Sequence, residues 1–186
     1  MTGGNAVHLR RLVASAVLTI AVALAASAPA PVASGALAGP RPASVRVVGS
    51  LEDGLLREIN SLRADRGLGS LRASPGLARA AGAHARSMAR LGFFAHVSPD
   101  GSSVRDRIAR VEPGLARNAV GEVLLWRSPA PNSSEALAMW LGSPPHRAVL
   151  LDPGLRMIGL TAVSAQSAPG VFGGLDVTIV AADLAG

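Results

Sequence analysis

Apolar residues recur along this chain in two periods, and the change from one to the other orders its elements. Leu55, Ile59 and Leu62 stand at helical spacing. Ser50 and Asp53 precede them in the form of a capping box, and Arg63, Arg66 and Gly67 supply C-terminal signals, so a first helix is predicted over 51–66. Ser74-Pro75 opens a second, with proline at the first helical position. Its stripe of Leu77, Ala81, His84, Met88 and Leu91 steps by fours and threes, and Gly92 ends it. Ser103 and Asp106 open a short helix through "VRDRIARV". The pattern then turns extended: Ala119 to Trp126, "AVGEVLLW", reads as a strand with one charge, Glu122. Ser133 or Ser134 caps a helix carrying Leu137, Trp140 and Leu141, and "AVLLDPG" after "SPPHR" is a short helix or turn. The tail, "LRMIGLTAV" and "GVFGGLDVTIVAADL", predicts two strands joined as a hairpin. Helices first and strands last indicate an α+β layered domain and not a βαβ array.

The N-terminus follows a different pattern. Arg10 and Arg11 precede an apolar region of 15 residues, Leu12 to Ala26, and small-residue cleavage sites lie at Ala28 and Ala38. That order is expected of a secretory signal peptide over 1–38, cleaved after Ala28 or Ala38, with no stable transmembrane anchor left behind. The run falls short of the about 20 residues a spanning helix needs. Residues 39–49 read as a flexible linker and 50–186 as one domain, long enough for a core.

Composition narrows the chemistry. The chain has no cysteine, which removes disulfides, thiolate nucleophiles and zinc–cysteine sites. All 18 basic residues are arginine, set against 12 acids. They are spread along the chain and not interleaved with aromatics, so nucleic acid is not an expected partner. No G-x-S-x-G, H-E-x-x-H, phosphate-loop or dinucleotide fingerprint occurs. What stands out is His96 in "GFFAHVSPDG", Glu122 in its strand and His146 in "SPPHR". A carboxylate in an apolar strand is costly to bury unless paired, hydrogen-bonded or metal-bound. Two imidazoles and a carboxylate also suit zinc with one position open, although their spacing leaves open whether they share a site. His84 lies inside a helical stripe and reads as a core histidine. Ser98 reads as the cap of the Pro99-Asp100-Gly101 turn, and Arg147 as a partner for Glu122 or an anion, or as a surface group. Phe94 and Trp140 read as core.

The order N-x-x-R, H-A-x-x-M-A, F-x-H-x-S-P-D-G, G-E and W-x-x-S-P-x-H-R, from about Leu51 to Asp183, resembles the bacterial branch of the CAP superfamily, the SCP-like domain of cysteine-rich secretory and pathogenesis-related proteins. The resemblance implies a three-layer α–β–α sandwich with a small antiparallel sheet. It also implies a cleft gathering His96, Glu122 and His146, which would hold zinc or another divalent cation. Three departures bear on that cleft: Val123 stands where the family's G-E-N has asparagine, Ser143 where many members have a second glutamate, and "VEPGLARNAV" alters the rim. The expected role is a binding module in the envelope or extracellular space for a lipid, cell-wall fragment or protein, with a monomer favoured. The alternative is a metal-assisted, protease-like hydrolase, with His96 and His146 as ligands and Glu122 as base.

Overall fold

A computed structural model describes residues 44–186; the expected signal peptide lies outside them. Along the chain run β1 (Val45–Val47), α1 (Gly49–Ala64), β2 (Arg72–Ala73), α2 (Pro75–Leu91), α3 (Val104–Val111), β3 (Val120–Arg127), α4 (Ser133–Gly142), α5 (Pro144–Leu150), β4 (Met157–Ala165) and β5 (Val177–Ala185). The sheet order is β1-β4-β5-β3, antiparallel throughout, with the two-residue β2 adding parallel to β4. The tail hairpin is β4–β5, paired from Met157↔Ala185 to Ala165↔Val177.

The two-residue period of the strands sorts their side chains into layers. Val123 and Leu125, Ile158 and Leu160, and Val180 and Leu184 join Leu55, Ile59 and Trp140 in one core under α1 and α4. Leu124, Val163, Ile179 and Ala181 face the other way, onto Ala81, Ala85 and Met88 of α2. The fold is therefore α+β in three layers, as expected. Helix α2 can lie close to the sheet because Gly159 carries no side chain: a Cβ there would stand 2.0 Å from the Ala78 amide nitrogen. Thr161 fixes the same contact by donating from its hydroxyl to the Ala78 carbonyl at 2.8 Å.

Several boundaries differ from expectation. Val45–Val47, assigned above to a linker, form β1, and the Val48 amide donates to the Ala162 carbonyl at 2.9 Å. Order therefore precedes Ser50. Helix α1 consequently starts two residues earlier than predicted, at Gly49, and has no side-chain cap, so the Ser50/Asp53 box is not made. Asn132, not Ser133 or Ser134, caps α4, in a reciprocal box with Glu135. Ser133 and Ser134 instead donate to Glu58 of α1. Helix α5 takes in the "PPHR" segment itself. Ser74 and Ser103 cap α2 and α3 as predicted, and Gly92, at φ 71°, ends α2. Leu91, the last member of the predicted stripe, is 64% exposed because the chain leaves the helix there. Trp140 is core, while Phe94 is only half-buried against the α2-side cluster. Among the described residues no helix is long and apolar enough to cross a membrane.

Candidate functional site

The two residues after Gly92 pack against the α2-side core, and the chain then reaches His96 before the Ser98–Ser102 turn reverses it. That turn is closed by the Gly101 amide on the Ser98 carbonyl at 2.8 Å, and by Asp100, whose Oδ1 accepts from the amide and hydroxyl of Ser102 at 2.9 and 2.6 Å. Asp100 thus does the capping expected of Ser98. The Ser98 hydroxyl lies 3.1 Å from His84 Nδ1 and accepts from Arg107 Nη1 at 3.2 Å. His84 Nε2 lies 2.8 Å from the Ala95 carbonyl, so this buried ring has both nitrogens partnered. Burial, followed by the nearby Arg107 charge, depresses its pKa. As expected, it is a core histidine, here holding the backbone that leads to His96.

The strand period points Glu122 toward the α2 side of the sheet, with its side chain 2% exposed. One oxygen meets His96 Nδ1 at 2.7 Å, and the other takes Arg107 Nη2. The Arg107 guanidinium also donates through Nη1 to the carbonyls of His96 and Ser102 at 2.9 and 3.1 Å. It therefore ties helix α3 to the turn and to strand β3. The cation that meets Glu122 is Arg107; Arg147 is exposed on α5 and makes no ion pair among the described residues.

His96 itself is 56% exposed along its side chain. The Glu122 hydrogen bond raises its pKa, with burial opposing. Across the cleft, His146 projects from α5 with its ring centre 6.3 Å from that of His96. Partial burial, then the neighbouring imidazole, lowers its pKa, so neutral His146 has a free nitrogen lone pair to offer at neutral pH. The structure thus brings His96, Glu122 and His146 together, but with unequal roles. Both Glu122 oxygens are committed within the protein, and among the described residues no three histidine, aspartate or glutamate groups form a metal-ligand cluster. Glu122, expected as a third ligand, is buried, with one oxygen on His96 Nδ1 and the other on Arg107.

Two further residues belong to the site, Arg107 and Asp183. Asp183 pairs with Glu122 in the β3–β5 register and is fully buried. Neither of its carboxylate oxygens has a hydrogen-bond donor within the described protein. Burial first, then the Glu122 charge, raises its pKa well above the ordinary carboxylate range, while Arg107 opposes. The rule that singled out Glu122, a charge in an apolar strand, applies equally to Asp183 in "TIVAAD". Arg107 gave no such signal, because its short helix reads as a solvated arginine face.

The family model for the cysteine-rich secretory protein (CAP) family matches residues 56–175. No curated protein matches the chain. Among solved structures, an outer surface protein from Borrelia burgdorferi superposes with a TM-score of 0.60 at 20% identity, over 75% of this chain and 98% of that one. An extracellular protein containing an SCP domain from Bacillus anthracis gives 0.58 at 23% identity, over 74% of this chain and 40% of its own. A cysteine-rich secretory protein from Staphylococcus aureus gives 0.54 at 16%, with 74% and 38% covered. The chain thus spans about two fifths of the Bacillus and Staphylococcus proteins. At these identities the likeness is one of fold.

Proposed function

Because this chain belongs to the CAP family, whose similar solved structures are described as outer surface and extracellular bacterial proteins, we infer that it is an exported binding module with a cation-holding cleft. Its ligand at the cleft would be a lipid, wall fragment or protein in the envelope or extracellular space. The observation that carries this reading is the arrangement of His96. Its Nδ1 is fixed by a buried carboxylate, its outer face is open, and a second imidazole stands 6.3 Å away.

A histidine whose inner nitrogen is held by a carboxylate offers its other nitrogen in a defined direction and with raised basicity. His96 and His146 would therefore hold a divalent cation such as zinc, with Glu122 behind His96, and solvent or the ligand completing the coordination. When bound, the ion supplies a Lewis-acidic anchor for an oxygen donor. Glu122 and Arg107 orient His96; Arg107 also holds the turn that carries it. A hydrolase would need a carboxylate free to take a proton in the transition state. Glu122 instead faces Arg107 with one oxygen and His96 with the other, which favours binding over catalysis.

Zinc titration by calorimetry tests the reading. The protein should bind zinc at micromolar concentration, and His96→Ala and His146→Ala should each lose it. An absence of binding, or binding that survives both substitutions, would overturn the cation site.

A further inference from the structure

Where β2 joins β4, an open pocket of about 370 Å³ lies between the loop after α1 and the loop that leads into β4. Its volume falls in the range of small-molecule sites, roughly 300–1,000 Å³, and it shares no residue with the histidine cleft. The charged groups lining it are Arg63, Arg72 and Arg156, with no acid among them. Strand pairing sets two of these side by side: the Arg72 amide donates to the Arg156 carbonyl at 2.9 Å, and both residues are exposed. Arg63 is buried, and its donors are taken by backbone carbonyls of the same two loops and of the end of α5. Carbonyls solvate that charge without cancelling it. Asp152, the acid whose charge reaches Arg63, turns Oδ1 to the Gly154 amide at 2.7 Å and lies outside the lining. Among the described residues none of the three arginines has an acidic partner within ion-pair distance. Like charges on neighbouring strands repel, and three of them around one opening focus a positive field there.

We propose that this pocket is a second binding site, for a small polar phosphate ester such as a sugar or polyol phosphate. Arg72 and Arg156 take the phosphate oxygens, whose geometry matches the planar guanidinium fork. Arg63, its donors committed, supplies charge and not contact. A phosphate monoester fits three unpaired cations better than a carboxylate does, because it carries about −1.5 to −2 charges at pH 7 and offers three acceptor oxygens. The volume exceeds what a free phosphate ion fills, which leaves room for its substituent. That substituent is polar: Leu155 is buried, so Pro153 is the one exposed apolar side chain in the lining, beside Gly69 and the Ser70 hydroxyl. No aromatic ring lines the pocket to stack a base, which sets a sugar or polyol phosphate ahead of a nucleotide.

Glycerol 3-phosphate is the probe, titrated calorimetrically into the full protein in metal-free, low-salt buffer, with glycerate, inorganic phosphate and glycerol as comparisons. Glycerol 3-phosphate should bind saturably, and more tightly than glycerate or inorganic phosphate; glycerol should not bind. Added sodium chloride should weaken it steadily, since the site works by charge. Arg72→Gln combined with Arg156→Gln should weaken it at least tenfold; both residues are exposed, and unchanged circular dichroism would verify the fold. His96→Ala should leave it within twofold, which separates this pocket from the cleft. Glycerate binding as tightly would overturn the phosphate, and inorganic phosphate binding as tightly would overturn the ester. No saturable binding, no effect of the double arginine substitution, or loss with His96→Ala would each overturn the site itself. The zinc titration can fail without touching any of these outcomes.

Discussion

Two arginines are buried among the described residues, and they are buried to different ends. Arg63, 1% exposed near the end of α1, donates to four backbone carbonyls: Gly69 at 2.8 Å, Leu150 at 2.8 Å, Asp152 at 3.1 Å and Leu155 at 3.2 Å. Among the described residues it makes no ion pair, and it leaves no nitrogen idle, so it staples α1 to the end of α5 and to the loop that leads into β4. Arg107 is also bound to backbone carbonyls, but it spends one nitrogen on Glu122 and has another without an acceptor. A fully satisfied cation fixes a fold. One that faces a buried carboxylate beside an exposed histidine is poised to respond to what binds there.

The sharpest way to break the contrast is to remove the anion. Glu122→Ala leaves Arg107 buried without its counter-charge and His96 without its orienter. Breaking a buried pair in this way costs about 3–5 kcal/mol, read as a shift in the urea midpoint. A loss within about 0.5 kcal/mol, the range for neutral surface sites, would mean that the pair is dispensable. Arg63→Met comes next. It keeps much of the apolar stem and strips four carbonyls of their donor, at about 1–3 kcal/mol for each that stays dry. Gly69 is exposed and Asp152 half-exposed, so water can reach those two, and a net loss of about 2–3 kcal/mol is expected. Zinc affinity should be untouched by Arg63→Met and reduced by Glu122→Ala; equal effects on zinc would dissolve the distinction between staple and site.

How much of this could be read from the chain depended on where the cause lay. Capping at Ser74 and Ser103, the stop at Gly92 and the strand around Glu122 are written in neighbouring residues, and all are found. Asn132 was passed over for Ser133 and Ser134 because three adjacent residues can each cap; the choice is made by Glu58, 75 residues away, which takes the serine hydroxyl. Strand β1 was missed for a similar reason. "VRV" has no local signal strong enough to leave a linker, and β4 recruits it through pairing at Val45↔Ala165. In the site, the family resemblance gathered His96, Glu122 and His146 and offered Glu122 as a cation ligand or a base, without the partners that hold its two oxygens. Arg107 and Asp183 reach Glu122 only through helix docking and strand register.

Asp183 provides the finest test, since it has no donor to lose. Asp183→Asn replaces a buried acid with a side chain of the same shape that stays neutral at every pH. At the acid end of the titration, where Asp183 is protonated and as neutral as the asparagine, the change should stay within about 0.5 kcal/mol. The difference then grows with pH, and its sign follows from linkage. An unfolded aspartate releases its proton near pH 3.9, whereas the folded one holds it to a higher pH. Between those two values the native state binds more protons than the unfolded state, so the parent protein loses stability as pH rises. Above the folded value both states have released it, and this part of the slope disappears. The asparagine variant has no such proton to lose. Urea midpoints measured from pH 4.5 to 8 should therefore diverge, with Asp183→Asn increasingly the more stable. Parallel profiles would show that Asp183 is already ionised beside Glu122, and that the single cation Arg107 holds two buried carboxylates.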